Sequence, residues 1–240
     1  MKRLFVFIFA VTSLAACTST SSENIQQKPE SVTLLAYDAF TPEPGIFDEF
    51  TKDTGIDVKV VTGGDSGVLI SKAILTAGNP EGDVLWGVDN TMLSRAQQAS
   101  LLTSYEPVNT GDICINADKE WFANSDVPMP TRLEDLMLPQ YRGLLVTQDP
   151  VASSPGLGFL LGTIAHFGEG KWQKFWAALK GYAHIAPDWT TAYTIDFSGS
   201  SGNGKYPLVV SYGSSPPAEV LYADPSNPLT EPTTSVIEST

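Results

Sequence analysis

The residues with the clearest chemical potential stand where predicted strands end. Tyrosine, tryptophan, serine and glycine recur at these points, with aspartates close by. Aromatic faces bind flat rings, and a few convergent hydroxyls and backbone amides fix a ligand's orientation. The sequence therefore predicts a pocket for a small organic molecule that carries a flat ring. The candidate ligand-binding residues are Tyr37, Ser66, Gly67, Ser153, Ser154, Trp189, Tyr193, Tyr212, Gly213, Ser214 and Ser215.

Purely structural roles are open for several of these positions. Tyr37 at a strand end could be a core residue with its hydroxyl at the surface, and Ser154 before Pro155 could be only a helix cap. Asp38, Asp65 and Asp89 follow predicted strands, but an aspartate there commonly ties a turn. We therefore leave the three aspartates out of the candidate set.

Motifs for catalysis are incomplete in this sequence. The turn 64–67 resembles the nucleophile turn of trypsin-like proteases, but Val68 breaks that motif. Both histidines, His166 and His184, follow the serine, whereas in those proteases the histidine precedes it. The sequence has no G-x-S-x-G elbow, H-E-x-x-H, phosphate-binding loop or G-x-G-x-x-G after a strand. We expect that the protein is not an enzyme and that it holds neither a metal nor a cofactor.

The elements that would carry the candidate residues alternate between strands and helices. This order predicts an α/β fold with parallel sheets and right-handed crossovers. Ligands of open α/β sheets bind beyond the carboxyl ends of the strands, where the candidate residues stand. The predicted strands are 32–37, 58–61, 83–88, 112–115, 143–147, 184–186 and 208–211, and the predicted helices are 44–54, 67–77, 91–99, 156–167 and 171–182.

The N-terminus has the features of an export signal. Lys2 and Arg3 precede an apolar run at 4–11, which is too short to span a bilayer. The following Leu14-Ala15-Ala16-Cys17 resembles the lipobox of bacterial lipoproteins, in which the cysteine is diacylated and becomes the new N-terminus. We expect a signal peptide over 1–16, a flexible tether over 17–31, and an extracytoplasmic protein anchored to the bacterial cell membrane through Cys17. A plain signal peptide with a chance cysteine is the alternative.

Charge and cysteine content restrict the partners. The formal net charge is −13, and removal of Lys2 and Arg3 with the signal peptide makes it −15. Such an acidic chain argues against nucleic acid as a partner, and it weakly favours a cationic or neutral ligand over an anion. Cys114 has no partner cysteine once Cys17 is acylated, so it is expected to be a buried thiol of the core.

Five short sequence segments, which follow the lipobox-like motif in the expected order, resemble those of the thiamine-binding lipoproteins that serve ABC-type thiamine importers. The family has the type II periplasmic-binding-protein fold, so the resemblance implies two α/β lobes that close on the ligand: lobe I at 32–111, lobe II at 112–223 and a return segment at 224–240. It also implies a monomer that captures thiamine and delivers it to the permease subunits. The segments are Ala36-Tyr37-Asp38-Ala39-Phe40, Gly87-Val88-Asp89-Asn90, Gln148-Asp149-Pro150 with Ser153-Ser154-Pro155-Gly156-Leu157-Gly158, Asp188-Trp189-Thr190-Thr191-Ala192-Tyr193, and Val210-Ser211-Tyr212-Gly213-Ser214-Ser215-Pro216.

The resemblance assigns a role to each part of the candidate set. Thiamine carries a quaternary thiazolium, which binds to aromatic faces, and the aromatic candidates Tyr37, Trp189, Tyr193 and Tyr212 are expected to supply them. Ser154 is expected at the N-cap of a helix with Pro155 after it, where free amides and the two serine hydroxyls suit the hydroxyl or phosphate of the ligand's arm. Ser66 and Gly67 are expected to open a helix that does the same from the first lobe.

Two features depart from the family pattern. The connection between Leu102 and Asp112 is shorter, and the sequence ends at Thr240, well before the family's C-terminus, so the return to the first lobe is expected to be missing. A fragment without function is therefore one alternative. A binding protein of the same fold for a polyamine, iron or an oxyanion is another, although iron capture would need adjacent tyrosines where Tyr212 is followed by Gly213. A purely structural surface lipoprotein would not need the glycine- and serine-rich strand ends.

Overall fold

The computed structural model of the protein describes residues 28–200 and 202–239, which form two lobes, each built on its own β-sheet. The expected signal peptide, Cys17 and most of the expected tether lie outside the described residues. The strands are β1 Ser31–Ala36, β2 Asp57–Thr62, β3 Val84–Trp86, β4 Ile113–Asp118, β5 Leu145–Gln148, β6 His184–Ala186, β7 Leu208–Tyr212 and β8 Thr234–Ser239. The α-helices are α1 Asp48–Thr54, α2 Ser66–Leu75, α3 Leu93–Gln98, α4 Lys119–Ala123, α5 Ser154–Phe167, α6 Trp172–Leu179 and α7 Ser215–Leu221.

The first lobe is a three-stranded parallel sheet in the order β2-β1-β3. The central strand β1 buries Leu34, Leu35 and Ala36, and α2 packs against it. Each strand and helix predicted in this half is present, and parallel pairing is confirmed. Helix α1 begins later than expected, because 44–47 is a turn in which Gly45 has a φ of 82°. Gly55 ends that helix with a left-handed φ of 66°, the usual conformation after a helix C-terminus.

The second lobe has a five-stranded mixed sheet in the order β6-β5-β7-β4-β8. Strand β5 runs parallel to β6 and β7, whereas β4 is antiparallel to both β7 and β8. The expectation of purely parallel sheets is therefore wrong for this lobe. The chain enters the lobe through β4, which runs opposite to β5 and β7, and the long helices α5 and α6 come only after β5. Phe159 of α5 and Phe175 of α6 pack with Leu208 and Val210 in the core.

Much apolar surface of the first lobe faces outward. All but one residue of β2 are exposed, and α1 buries none of its side chains. A cavity of about 650 Å³ lies between these two elements and is lined by Pro44, Ile46, Val58 and Val60. Within the described residues, no helix combines the length and the apolar character that a membrane span requires.

Candidate functional site

The two lobes meet at the carboxyl ends of their parallel strands. The Asp65 carboxylate of the first lobe accepts the backbone N–H of Trp189 in the second lobe, with 3.0 Å between Oδ2 and the nitrogen. Beside it, the Gly67 N–H donates to the carbonyl oxygen of Ala152 at 2.9 Å. These contacts join the start of α2 to loops that follow β5 and β6. The lobes therefore touch directly at these two points.

The start of α2 is shaped for this contact. Asp65 is buried and is the N-cap of the helix, where its Oδ1 accepts the Ser66 N–H at 2.7 Å. One carboxylate thus caps a helix in one lobe and binds the backbone of the other. A Cβ added to Gly67 would lie 2.3 Å from the Val151 carbonyl oxygen and 2.7 Å from that of Ala152. Only glycine permits this approach of the lobes.

Trp189 lies at the centre of an aromatic cluster in the second lobe. Its ring is stacked on Tyr193, with centroids 5.0 Å apart and planes 11° from parallel, and Tyr212 lies 6.4 Å away at 51°. The indole N–H donates to Ser211 Oγ at 2.9 Å, and Ser211 Oγ is 2.8 Å from Ser215 Oγ. Three of the predicted aromatic residues therefore come together. Ser215 is linked to the cluster through its hydrogen bond with Ser211.

Sequence reasoning missed Ser211. This serine is fully buried in β7 between Val210 and Tyr212. A buried hydroxyl must find a hydrogen-bond partner. A serine among apolar strand residues was the available signal, but only the fold shows that its partner is the indole of Trp189.

The tyrosine hydroxyls of the cleft are held in their neutral form. Burial, above all, raises the pKa of Tyr193 to about 12. Burial also raises the pKa of Tyr212, with further contributions from the negative charges of Asp65 and Asp89 and from Tyr37. These last three residues belong to the first lobe, so Tyr212 lies near them at the lobe contact. The aromatic surfaces are therefore uncharged, and negative charge comes from the aspartates.

Carboxylates gather at the lobe contact. Burial raises the pKa of Asp38, and the charges of Asp65 and Asp188 raise it further. Asp188 comes from the second lobe, where its Oδ1 accepts the Thr191 N–H at 2.6 Å. Asp89, in contrast, ties its own turn by accepting from the backbone of Thr91 and Met92. A cation is the solute that this arrangement of charge favours.

Tyr37 takes a position in the first lobe that depends on a glycine. It follows β1 and lies so close to Gly87 that a Cβ there would be 2.2 Å from the ring. Gly87 has a φ of 94°, a conformation that disfavours other residues. The rings of Tyr37 and Phe40 meet edge to face, with their centroids 6.2 Å apart, and Phe40 packs on Trp86. The residue is thus partly a packing residue and partly a wall of the cleft.

The N-terminus of α5 differs by one residue from the expectation. Ser153, not Ser154, occupies the N-cap, and Pro155 is the second helical residue, because the helix begins at Ser154. Ser153 makes no cap hydrogen bond, and its buried Oγ has no partner among the described residues. Gly156 lies against the Gln148 carbonyl, where a Cβ would be 2.6 Å from the oxygen.

Two predicted residues lie apart from the aromatic cluster. The Gly213 N–H donates to the Asp112 carbonyl at 2.9 Å, and a Cβ at Gly213 would lie 3.3 Å from the Cys114 sulfur. Ser214 is exposed before α7 and makes no cap hydrogen bond. Cys114 itself is buried, which raises its pKa and keeps the thiol protonated. No group of three or more histidine, cysteine, aspartate or glutamate residues within 28–200 and 202–239 is arranged to hold a metal ion.

The two α/β lobes have the fold of the type II periplasmic binding proteins. Solved structures with this fold include one titled "Periplasmic thiamin binding protein", with a TM-score of 0.70, 22% identity and coverage of 87% of this chain and 68% of that one. Iron-bound HitA from Pseudomonas aeruginosa has a TM-score of 0.63 and 20% identity, with coverage of 87% and 69%. At these identities the likeness concerns the fold alone.

The family follows from the sequence match. The family model described as "Bacterial extracellular solute-binding protein" matches residues 85–220, and the chain belongs to that family. The "Thiamine-binding periplasmic protein" of Brucella suis biovar 1 is 26% identical over 230 residues, which is 87% of this chain and 64% of that protein. The protein of the same name from Escherichia coli K12 is 27% identical over 208 residues, with coverage of 79% and 62%. The chain thus spans about 64% of the length of the first of these relatives.

Proposed function

We propose that this protein captures thiamine outside the cytoplasmic membrane and delivers it to the permease of an ABC transporter. The observation that carries the proposal is the lobe contact, where the aromatic cluster of Trp189, Tyr193 and Tyr212 lies beside a group of aspartates. The names of the relatives from Brucella suis and Escherichia coli support thiamine as the solute.

The aromatic cluster suits the cationic ring of thiamine. A quaternary thiazolium cannot donate a strong hydrogen bond, so its binding depends on aromatic faces and nearby negative charge. A cation over an aromatic face gains about 0.5 to 2 kcal/mol, and tryptophan is the best of the aromatic residues. Trp189 is held by Tyr193 and Ser211, so little of its rotamer freedom is left to lose on binding. Asp38, Asp65 and Asp188 supply negative charge beside it.

The N-terminus of α5 suits the hydroxyethyl arm or its phosphate. The first amides of a helix have no partner within the helix, and the helix dipole favours an anion there. Ser153 adds a buried hydroxyl with no partner among the described residues, and Ser154 lies directly after it. Ser66 and Gly67 approach the same place from the first lobe, where Gly67 contacts Ala152. The two lobes would thus hold the arm between two helix N-termini.

The proposal includes the location of the protein. The lipobox-like motif at 14–17 supports processing before Cys17 and a lipid anchor on that cysteine. We further propose that the protein acts as a monomer tethered near its permease. The tether expected over 17–31 would leave the lobes free to move above the membrane.

Isothermal titration calorimetry tests the ligand directly. The acylated protein in detergent is titrated with thiamine, thiamine monophosphate, spermidine, ferric ion and sulfate, one at a time. We expect saturable one-to-one binding of thiamine and of its phosphate, with unchanged ligand recovered afterwards. Spermidine in place of thiamine would favour the polyamine alternative, because the aspartates of the cleft would then be the main recognition element. Conversion of thiamine to a product would contradict a binding role.

A further inference from the structure

The ring segment, residues 187–196, contains both residues of the stacked pair, Trp189 and Tyr193. His184 of β6 precedes this segment, and Asp196 is its last residue. His184 Nε2 lies 3.0 Å from Asp196 Oδ2, so the two side chains form an ion pair when the histidine is protonated. This contact closes a loop of chain, and both stacked rings belong to residues inside that loop.

The sheet of the second lobe fixes the His184 end of this loop. In the pairing of β6 with β5, His184 stands opposite Val146. The His184 ring also lies on the ring of Tyr206, with centroids 4.9 Å apart and planes 3° from parallel. Tyr206 is buried, and its backbone N–H donates to the Asp196 carbonyl at 3.1 Å. Asp196 is therefore held, through its carboxylate and its carbonyl, against two residues that the lobe itself fixes.

The other end of the loop is a short π-helix, Thr191–Asp196, which contains Tyr193. The N–H of Phe197, the next residue, donates to the Ala192 carbonyl at 3.0 Å, with the five-residue spacing of a π-helix. Helices of this type are rare and occur frequently at functional sites. Because Tyr193 and Asp196 belong to one turn of the same helix, a change in the position of Asp196 should reach the stacked rings.

The charges around His184 favour the ion pair at low pH. β6 packs mainly against β5, which has no titratable side chain, and against the π-helix, whose titratable residues are Tyr193 and Asp196. Beyond the Tyr206 ring, Lys205 Nζ lies 4.9 Å from its centroid and opposes a positive charge on His184, but the Asp196 carboxylate is in direct contact. Histidine ordinarily changes its charge between about pH 5 and pH 8. A charge-assisted hydrogen bond therefore gives way to a weaker neutral one as the pH rises.

We propose that His184 and Asp196 are positioning residues, whose ion pair orders the ring segment for binding and makes this order depend on pH. The part of this inference that concerns affinity rests on the proposed function, since Trp189 and Tyr193 are the proposed ring-binding residues. The order of the ring segment is a property of the protein alone, and it is measured without thiamine.

The two histidines of the chain allow a matched comparison, because His166 also contacts a carboxylate, with 2.9 Å between its Nε2 and Glu134 Oε1, outside the ring segment. NMR spectra of the ligand-free protein between about pH 5 and pH 8 follow both histidine rings and the Trp189 indole N–H. The indole signal is assigned by its loss in Trp189→Phe. We expect it to shift in step with the titration of His184, to do so in His166→Gln as well, and to stay unshifted in His184→Gln. Asp196→Asn should also remove the shift, and it serves if His184→Gln does not fold.

The second measurement is the affinity for thiamine at about pH 6 and about pH 8, by calorimetry. We expect binding by the parent to be about twofold to fivefold weaker at the higher pH, the range that the loss of a partly exposed ion pair gives. His166→Gln should show the same ratio, and His184→Gln a smaller one. Any pH dependence that belongs to thiamine itself remains in His184→Gln, so the difference between parent and variant isolates the ion pair.

Two results would overturn the positioning role. One is a Trp189 indole signal that does not follow His184 in the parent, or that shifts equally in His184→Gln and Asp196→Asn. The other is the same ratio of affinities in the parent and in His184→Gln. If the indole signal follows His184 but the parent does not bind thiamine at either pH, the ordering of the ring segment stands and the proposed function fails.

Discussion

Replacement of Trp189 by alanine tests the proposed recognition of the cation most directly. The change removes the ring that stacks on Tyr193 at 5.0 Å and the N–H that Ser211 accepts. It leaves the backbone N–H that binds Asp65, so the contact between the lobes persists. Loss of one cation–π face, together with its apolar contact, should cost about 2 kcal/mol or more, which is at least a roughly thirtyfold rise in the dissociation constant of thiamine.

Two comparisons separate the ring from its hydrogen bond. Trp189→Phe keeps an aromatic face but leaves Ser211 without the indole N–H, so its affinity should fall between those of the parent and Trp189→Ala. Calorimetric titration gives the affinities. Thiamine should also quench tryptophan fluorescence saturably in the parent and in Trp172→Phe, whereas most of the quenching should be lost in Trp189→Ala.

The reasoning would be refuted by a folded Trp189→Ala protein that binds thiamine as tightly as the parent does. Near-ultraviolet circular dichroism and the unfolding midpoint establish that the variant is folded. Weak binding by Trp189→Ala and by Trp172→Phe alike would also count against the argument, because Trp172 belongs to α6 and not to the aromatic cluster.

Four further predictions concern the lobe contact, the arm, charge and location. Gly67→Ala should hold the lobes apart, because its Cβ would meet the Val151 carbonyl at 2.3 Å; small-angle scattering should show a larger radius of gyration, and an unchanged radius would contradict this. Ser154→Ala should cost about 1 kcal/mol and should weaken thiamine phosphate more than thiamine, since a charge-assisted bond is stronger than a neutral one; calorimetry with both ligands decides. Asp38→Asn should stabilise the protein at neutral pH, because the raised pKa means that the folded state binds the proton of Asp38 more tightly than the unfolded state does. This advantage should be lost as the pH falls through the raised pKa towards 3.8. Urea unfolding at neutral pH and at a pH below 3.8 measures the difference in stability between the variant and the parent. Cys17→Ser should release the protein from membranes or leave it unprocessed, and wild-type protein found unacylated in the medium would count against the anchor.

Local patterns in the sequence predict the elements of the first lobe and their parallel pairing, but they miss α4, α7, β8 and the pairing in the second lobe. Apolar runs and glycine stops locate β1 and α1, and Gly55 has the predicted stop conformation. The mixed sheet of the second lobe escapes such reasoning, since β4 pairs with β7 and β8, which are distant from it in the chain. The N-cap of α5 is off by one residue, because both Ser153 and Ser154 are good N-cap residues and only the backbone conformation distinguishes them.

The residues that form hydrogen bonds with the aromatic cluster could not be predicted in the same way. Aromatic residues at strand ends are visible in sequence, and Trp189, Tyr193 and Tyr212 do come together. Ser211 gains its role only from a neighbour that is distant in the chain. Trp189 and Ser211 are separated by 22 positions, and Asp65 is 124 positions from Trp189. Pairings of this kind follow from how the lobes fold and meet, and no local pattern encodes them.

Different atoms of Trp189 make the contact between the lobes and the contacts within the aromatic cluster. The backbone N–H of this residue binds Asp65 and thereby joins the lobes, and every amino acid except proline offers the same group. The indole instead faces the aromatic cluster, where its ring and its N–H are fixed by Tyr193 and Ser211. Under the proposed function, closure would therefore be the same for any solute that fits, whereas selection would depend on the rings and on the charge of the aspartates. Substitutions of the indole should change which solute is bound and how tightly, and substitutions at Asp65 or Gly67 should change whether the lobes meet at all.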